Sequence, residues 1–450
     1  MTLSEAKRLY SQGQQKLATG DFQGAIAKFK QALQFNPKSY LALAGLGDVM
    51  LKQKRYKEAI AYWHLSPAAL TTFVIKPGES APILMTAPTT TTERPASLQQ
   101  LLKLEAWIKE WDDQYRDYRT QGKEQRDANH SWRNDMAQRL FERQEEPGNL
   151  KEILNIVAIA QHLDGTNHLI LIPHRDLHRF PLHALFSDRF TVSYLPSVQV
   201  GLNLEGRQPA NTSYLLSVEN PTSDRSSSLA FPRVESQLIS QTFQNTKLIQ
   251  DAEATQEKVI HAFSEGCNVL HFSGHGSHHP ENPQKSELLL AGTDGLTLQE
   301  ICQHDLTRYD LVSLSACETA LTGDQSITTE YVGLVSGFLR SGVAQVISTL
   351  WVVESAVSAL VMIEFYRRRG DRADAVALAQ AIEWLRHLNR EEFEAWRTER
   401  LAELSPALPR EQRLKIKRTL DIASARWDRI EQDIPHPYAW AAFTLSGGFF

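Results

Sequence analysis

After Gly165, short apolar runs recur at strand length: His168–Ile172, Tyr214–Val218, Val269–Phe272, Leu311–Leu314 and Val343–Leu350. Stretches of helical spacing separate them, at Arg233–Phe243, Glu257–Ser264, Leu298–His304 and Glu330–Arg340. Strands apolar at nearly every position, alternating with helices, predict an α/β fold with a mostly parallel sheet covered on both faces. The charged stretch Arg386–Ile434, with Pro406 and Pro409, breaks this rhythm; residues 388–434 read as a helical insertion before a last strand, Ala439–Leu445. Upstream, Leu101, Leu102, Leu104, Trp107, Ile108 and Trp111 keep steps of three and four, predicting leading helices over residues 98–164. Within them Asp112–Asn134 is dense in Arg, Asp, Gln and Lys, as a solvated helix face or a helical hairpin is. Residues 71–97 hold Pro77, Gly78, Pro82, Pro88, Pro95 and a run of threonines, which predicts an extended linker.

The first 70 residues repeat themselves. Gly13 and Gly47, Phe22 and Tyr56, Ala25 and Ala59, Ile26 and Ile60, and Phe29 and Trp63 each stand 34 positions apart. Small residues let two helices approach, an aromatic at Phe29 fills the gap, and Asn36-Pro37 ends the unit. This all-α pattern resembles the tetratricopeptide repeat, with a second copy that fades where Ser66-Pro67 stops the helix. Two units are too few to bury a continuous core. The pair therefore reads either as a brace docked on the rest of the chain or as a groove recruiting a regulatory protein.

Composition narrows the function classes. Hydrophobic residues make up 42% and charged residues 22% of 450, an ordinary globular balance. A net charge of −5 gives no support for nucleic acid or an anionic membrane as partner. No apolar run reaches the roughly 18 residues of a membrane span. The N-terminus lacks a basic region followed by an apolar stretch, and three cysteines cannot form a disulfide framework. A cytoplasmic protein with reduced thiols is the expectation.

Two strand ends carry the candidate chemistry. Val269-Leu270-His271-Phe272 runs into Ser273-Gly274-His275-Gly276, and Leu311-Val312-Ser313-Leu314 runs into Ser315-Ala316-Cys317-Glu318-Thr319. If these strands are parallel neighbours, both loops emerge at one carboxyl edge, where open α/β sheets hold their ligands. His275 and Cys317, 42 positions apart, would then face each other. A free thiol is only a few per cent thiolate at neutral pH, and an imidazole within reach takes its proton and later protonates a leaving amine. The N–H groups of Gly276 and Cys317 are candidates to hold a developing oxyanion. Cys267 and Cys302 read as packing residues.

These residues resemble the signature blocks of the CHAT domain, a group of caspase-like cysteine peptidases related to separase, caspases and gingipains and often fused to tetratricopeptide repeats. Further blocks agree: Ile172-Pro173 through Leu177-His178-Arg179-Phe180-Pro181-Leu182-His183-Ala184-Leu185, Tyr194-Leu195-Pro196-Ser197, Ser348-Thr349-Leu350-Trp351-Val352-Val353, and His436-Pro437-Tyr438-Ala439-Trp440-Ala441-Ala442-Phe443. The resemblance covers residues 98–450 and implies a caspase-like sheet, His275 as general base and Cys317 as nucleophile. It also implies a protein substrate, encoded nearby, and no cofactor. Separase-like relatives take a basic residue before the scissile bond. Glu318, Trp351 and Glu354 are the candidate pocket residues here, although Ser355 stands where separase has its acid.

Three other readings compete. His271, His275, His278 and His279 cluster, but their spacing does not match the ligand gaps of structural zinc sites, so no metal is expected. No Gly-x-Gly-x-x-Gly and no Gly-Lys-Ser/Thr accompanies the strand, which argues against a nucleotide. A catalytically silent or conditionally active scaffold remains the alternative, since a fold does not guarantee an activity.

Overall fold

The computed structural model describes residues 2–35, 59–65, 69–76, 82–85, 96–120, 130–186, 188–204, 207–210, 213–226, 228–277, 279, 282–316, 327–370, 372–406 and 408–448. Strands β1 (Ala59–Leu65), β2 (Leu70–Ile75) and β3 (Ile83–Met85) come first, then β4 (His168–Ile172) and β5 (Thr191–Tyr194). They are followed by β6 (Tyr214–Glu219), β7 (Asn245–Gln250), β8 (Val269–Gly274) and the short β9 (Gly276–Ser277), β10 (Glu287–Leu289) and β11 (Gly295–Thr297). Last come β12 (Leu311–Ala316), β13 (Gln345–Thr349) and β14 (Phe443–Gly447).

Eleven strands form one sheet in the order β3-β2-β1-β4-β5-β14-β13-β12-β8-β6-β7. Two parallel blocks compose most of it. One is β7-β6-β8-β12-β13 and the other is β14-β5-β4-β1; they run in opposite senses and meet at the antiparallel pair β13/β14. The mostly parallel α/β sheet expected from the alternating pattern is therefore present. Every residue of β8 and β13 is buried, as strands covered on both faces must be.

Helices α1 (Thr2–Ala18) and α2 (Phe22–Phe35) form an antiparallel hairpin, and the long α3 (Ala96–Thr120) precedes β4. Then follow α4 (Pro232–Ser240), α5 (Ile327–Arg340), α6 (Ser355–Arg369) and an all-helical run of α7 (Asp374–His387), α8 (Arg390–Glu403), α9 (Arg410–Ala425) and α10 (Trp427–Asp433). The α1–α2 hairpin packs as its sequence predicts: a Cβ at Gly13 would sit 2.5 Å from the Phe29 ring, so only glycine admits that ring. No helix among the described residues is long and apolar enough to cross a membrane.

The N-terminal boundaries need correction. Ala59–Leu65, matched to a repeat helix by its 34-residue spacing, is a strand, and the supposed linker over residues 71–97 contains most of β2 and all of β3. The physical reason lies in alternation. Ala59, Ala61, Trp63 and Leu65 enter the main core with α3, while Ile60 turns to the other face and meets Phe29, Ile26 and Leu17 of the hairpin. Two further differences are smaller. The predicted helix Leu298–His304 is helical only over Leu298–Ile301, and the predicted strand Ala439–Leu445 begins as a helical turn, Pro437–Trp440, before β14.

Candidate active site

β8 and β12 are parallel neighbours, and their last register pair is Gly274 with Ala316. His275 and Cys317 are the residues that directly follow that pair in sequence. Cys317 and Glu318 themselves lie outside the described residues.

His275 is 3% exposed. Its carbonyl accepts the Leu289 N–H at 2.9 Å, which makes residues 275 and 289 a hydrogen-bonded pair between the chain leaving β8 and β10. Antiparallel ladders alternate, so the next pair, Gly276 with Leu288, is the non-bonded kind. At such a position the Gly276 N–H points away from β10. Gly274 has a different use: a Cβ there would come within 3.0 Å of both the Phe272 ring and Pro221.

Beneath this edge the centre of the sheet is polar. Ser217, His271 and Ser313 stand side by side in register, and Glu219, Ser273 and Ser315 form the next row. Residues two apart on a strand share a face, and α4 and α6 supply the partners on this one. Glu235 of α4 accepts the Ser273 hydroxyl at 2.9 Å, and its other oxygen lies 3.4 Å from His271 Nε2. His271 Nδ1 meets Ser313 Oγ at 2.7 Å, and Ser313 in turn meets Tyr366 of α6 at 2.7 Å. Ser315 and Ser358 hydroxyls are 3.1 Å apart, and Ser217 pairs with Ser236 at 2.8 Å. Hydrogen bonds thus tie β8 to α4 and β12 to α6, and the His271–Ser313 bond joins the two strands that lead to the candidate pair. The alternation of serine with apolar residues in Leu311–Ser315 was a readable sign of this; Glu235 and Tyr366 sit on helices that gave none.

One strand over, Glu219 ends β6 with no exposed surface. Burial pushes its carboxyl above the usual range, and Arg233 opposes that push through a 3.0 Å ion pair. Arg233 also holds Asp251 at 2.6 Å.

The remaining candidates separate. Trp351 is fully buried; its indole N–H donates to the Tyr438 carbonyl at 2.9 Å and its ring packs beside Trp111 and Trp132. It is a core residue, not a pocket wall, because the apolar Leu350-Trp351 pair that looked like a pocket strand plugs into the aromatic cluster of α3. Glu354 is exposed and starts α6. Cys267 is fully buried, with its thiol pushed up to about 11 mainly by burial, which keeps it protonated. Cys302 is half-buried where the helix Leu298–Ile301 ends. His271 is hydrogen-bonded to Ser313 with Glu235 at 3.4 Å from its other nitrogen, and His279 accepts the Asn282 N–H at 3.1 Å.

Comparison with known proteins adds three findings. The CHAT domain profile matches residues 137–448, and a tetratricopeptide repeat profile matches residues 16–69. No curated protein sequence matches. Among solved structures the chain is similar to the separase–securin complex of Saccharomyces cerevisiae, at 12% identity and a TM-score of 0.45, covering 94% of this chain and 32% of that one. It thus spans about a third of the separase chain. It is also similar to the Arg-specific cysteine proteinase gingipain R, at 11% identity and a TM-score of 0.38, covering 76% of this chain and 75% of that one. With the profile running over more than half of its length, and through both strand ends that bear His275 and Cys317, the chain belongs to the CHAT-domain family.

Proposed function

We propose that this chain is a caspase-like cysteine endopeptidase in which Cys317 is the nucleophile and His275 the general base. The observation that carries the reading is the register of β8 with β12, whose terminal pair immediately precedes these two residues. Deprotonated Cys317 attacks a peptide carbonyl, and the tetrahedral oxyanion is held by the N–H groups of Gly276 and Cys317. His275 hands its proton to the departing amine, and water then resolves the acyl-enzyme. Glu354 and Glu318 are the acids that would select a basic residue before the scissile bond. Cleavage of a peptide library checks this, and a dominant acidic or aromatic preference removes it.

The tetratricopeptide segment is the natural receiver of a regulatory protein. The test is labelling of the full chain by a thiol-reactive peptide probe, beside Cys317→Ala and His275→Ala. Labelling lost in both variants supports the peptidase. Equal labelling of all three chains overturns it in favour of a silent scaffold.

A further inference from the structure

The helical run α7–α10 takes no part in this chemistry, and α9 differs from the rest of the molecule in charge. It carries five cations, Arg410, Arg413, Lys415, Lys417 and Arg418, against two carboxylates, Glu411 and Asp421, within a chain whose net charge is −5. Both carboxylates are engaged: Glu411 pairs with Lys415 at 2.8 Å, and Asp421 with Arg397 of α8. Arg410, Arg413, Lys417 and Arg418 are exposed and make no ion pair among the described residues. Arg413 and Lys417 are one helical turn apart, as are Arg410 and Arg413, and like charges at that spacing repel.

Apolar residues share this exposed face. Leu414 and Ile422 are 43% and 50% exposed, and with Arg418 between them they stand at steps of four along the helix. The inward side, Ile416, Leu420 and Ala423, is buried, so the outward leucine and isoleucine are not needed for packing α9 onto the body.

Lys415 and Arg418 also wall a groove of about 460 Å³, whose far side is Asn220, Ser228 and Arg233. Asn220 directly follows β6; its N–H donates to the Ser273 carbonyl at 2.7 Å, two residues before His275. The groove therefore opens onto the same sheet edge as the candidate pair. Within it Arg233 is neutralised by Glu219 and Asp251, and Arg418 supplies the unmatched positive charge.

We propose that the outward face of α9 and this groove form a docking surface for an acidic segment of the protein substrate, rich in Asp and Glu with interspersed leucine-like side chains. Carboxylates would relieve the repulsion among the four unpaired cations, and the apolar side chains would cover Leu414 and Ile422. The identity of the occupant as substrate rests on the peptidase reading.

The test is fluorescence anisotropy of a labelled peptide of Glu, Asp and Leu titrated with the full chain carrying Cys317→Ala, beside a Lys–Leu peptide of equal length. The acidic peptide should bind preferentially and weaken as salt is raised. Adding Lys417→Glu and Arg418→Glu should weaken it about tenfold. Affinity unchanged by charge reversal, or equal binding of the basic peptide, overturns the proposal. Both substitutions lie on the exposed face, and in the chain with Cys317 intact they should leave labelling by the short thiol-reactive probe unchanged. If that labelling is absent while charge-dependent binding persists, the peptidase reading fails and the surface stands; if labelling persists and binding ignores charge, the surface alone fails.

Discussion

Glu235, at 2% exposure, accepts the Ser273 hydroxyl and stands 3.4 Å from the buried His271 ring, whose other nitrogen meets Ser313. Glu235→Leu leaves hydroxyl and ring without it and should destabilise the chain by about 2 to 4 kcal/mol in urea unfolding. An unchanged midpoint would mean the polar centre of the sheet contributes nothing. Two histidines make a separate prediction about pH. Burial lowers His178 and His183 to about 4, from an ordinary 6.5. The unfolded chain then binds more protons than the folded one between those values, so stability is fully present above about 6.5 and is lost as pH falls towards 4. His183→Gln should flatten that decline in thermal unfolding followed from pH 7.5 to 4.5; an identical slope would exclude His183 as a source. Trp351 belongs to the same scale. As a buried ring it should cost about 3 to 5 kcal/mol when cut to Ala, seen as lost folded protein rather than as altered cleavage preference. His275 and Cys317 were singled out by their joint place at two consecutive strand ends and by the family blocks around them, since either residue type alone is common in such positions. Residue identity mistook Trp351, because an indole in a core and an indole in a pocket look alike until their neighbours are known.

At the level of elements, the hairpin α1–α2 behaves as a brace on the sheet. Phe29 has no exposed surface and joins Ile60 of β1 with Ile170 and Ile172 of β4 in one cluster. Phe29→Ala should therefore cost about 3 to 5 kcal/mol and release the hairpin, measured as faster proteolysis before residue 59. Proteolysis unchanged from the parent would show that the hairpin stands independently. The helix period was legible in α1, α2 and α3, where apolar residues recur at steps of three and four. It misled at Ala59–Leu65, where the residues matching a repeat helix also satisfy a two-sided strand. Only pairing with β2 and β4 decides between the two, and the pairing with β4 joins residues 110 positions apart.

Across the whole molecule, the sheet is unevenly joined. β8 shares six register pairs with β12, whereas β5 and β14 share one, Ser446 with Tyr194. Amides of β8 and β12 should accordingly be the slowest to exchange with deuterium, and those along the β5/β14 seam markedly faster. Equal protection at both places would mean that the aromatic cluster around Trp111 and Trp351 locks the two blocks together. Sequence by itself determined the alternation of buried strands and helices, the order of the motif blocks and the residue types at two strand ends, because those follow from local periodicity and side-chain chemistry. Tertiary structure alone decided that β8 and β12 are neighbours in register, that the second parallel block runs against the first, and that Glu235 reaches His271. Such choices depend on which distant surfaces bury one another, and no local pattern encodes that.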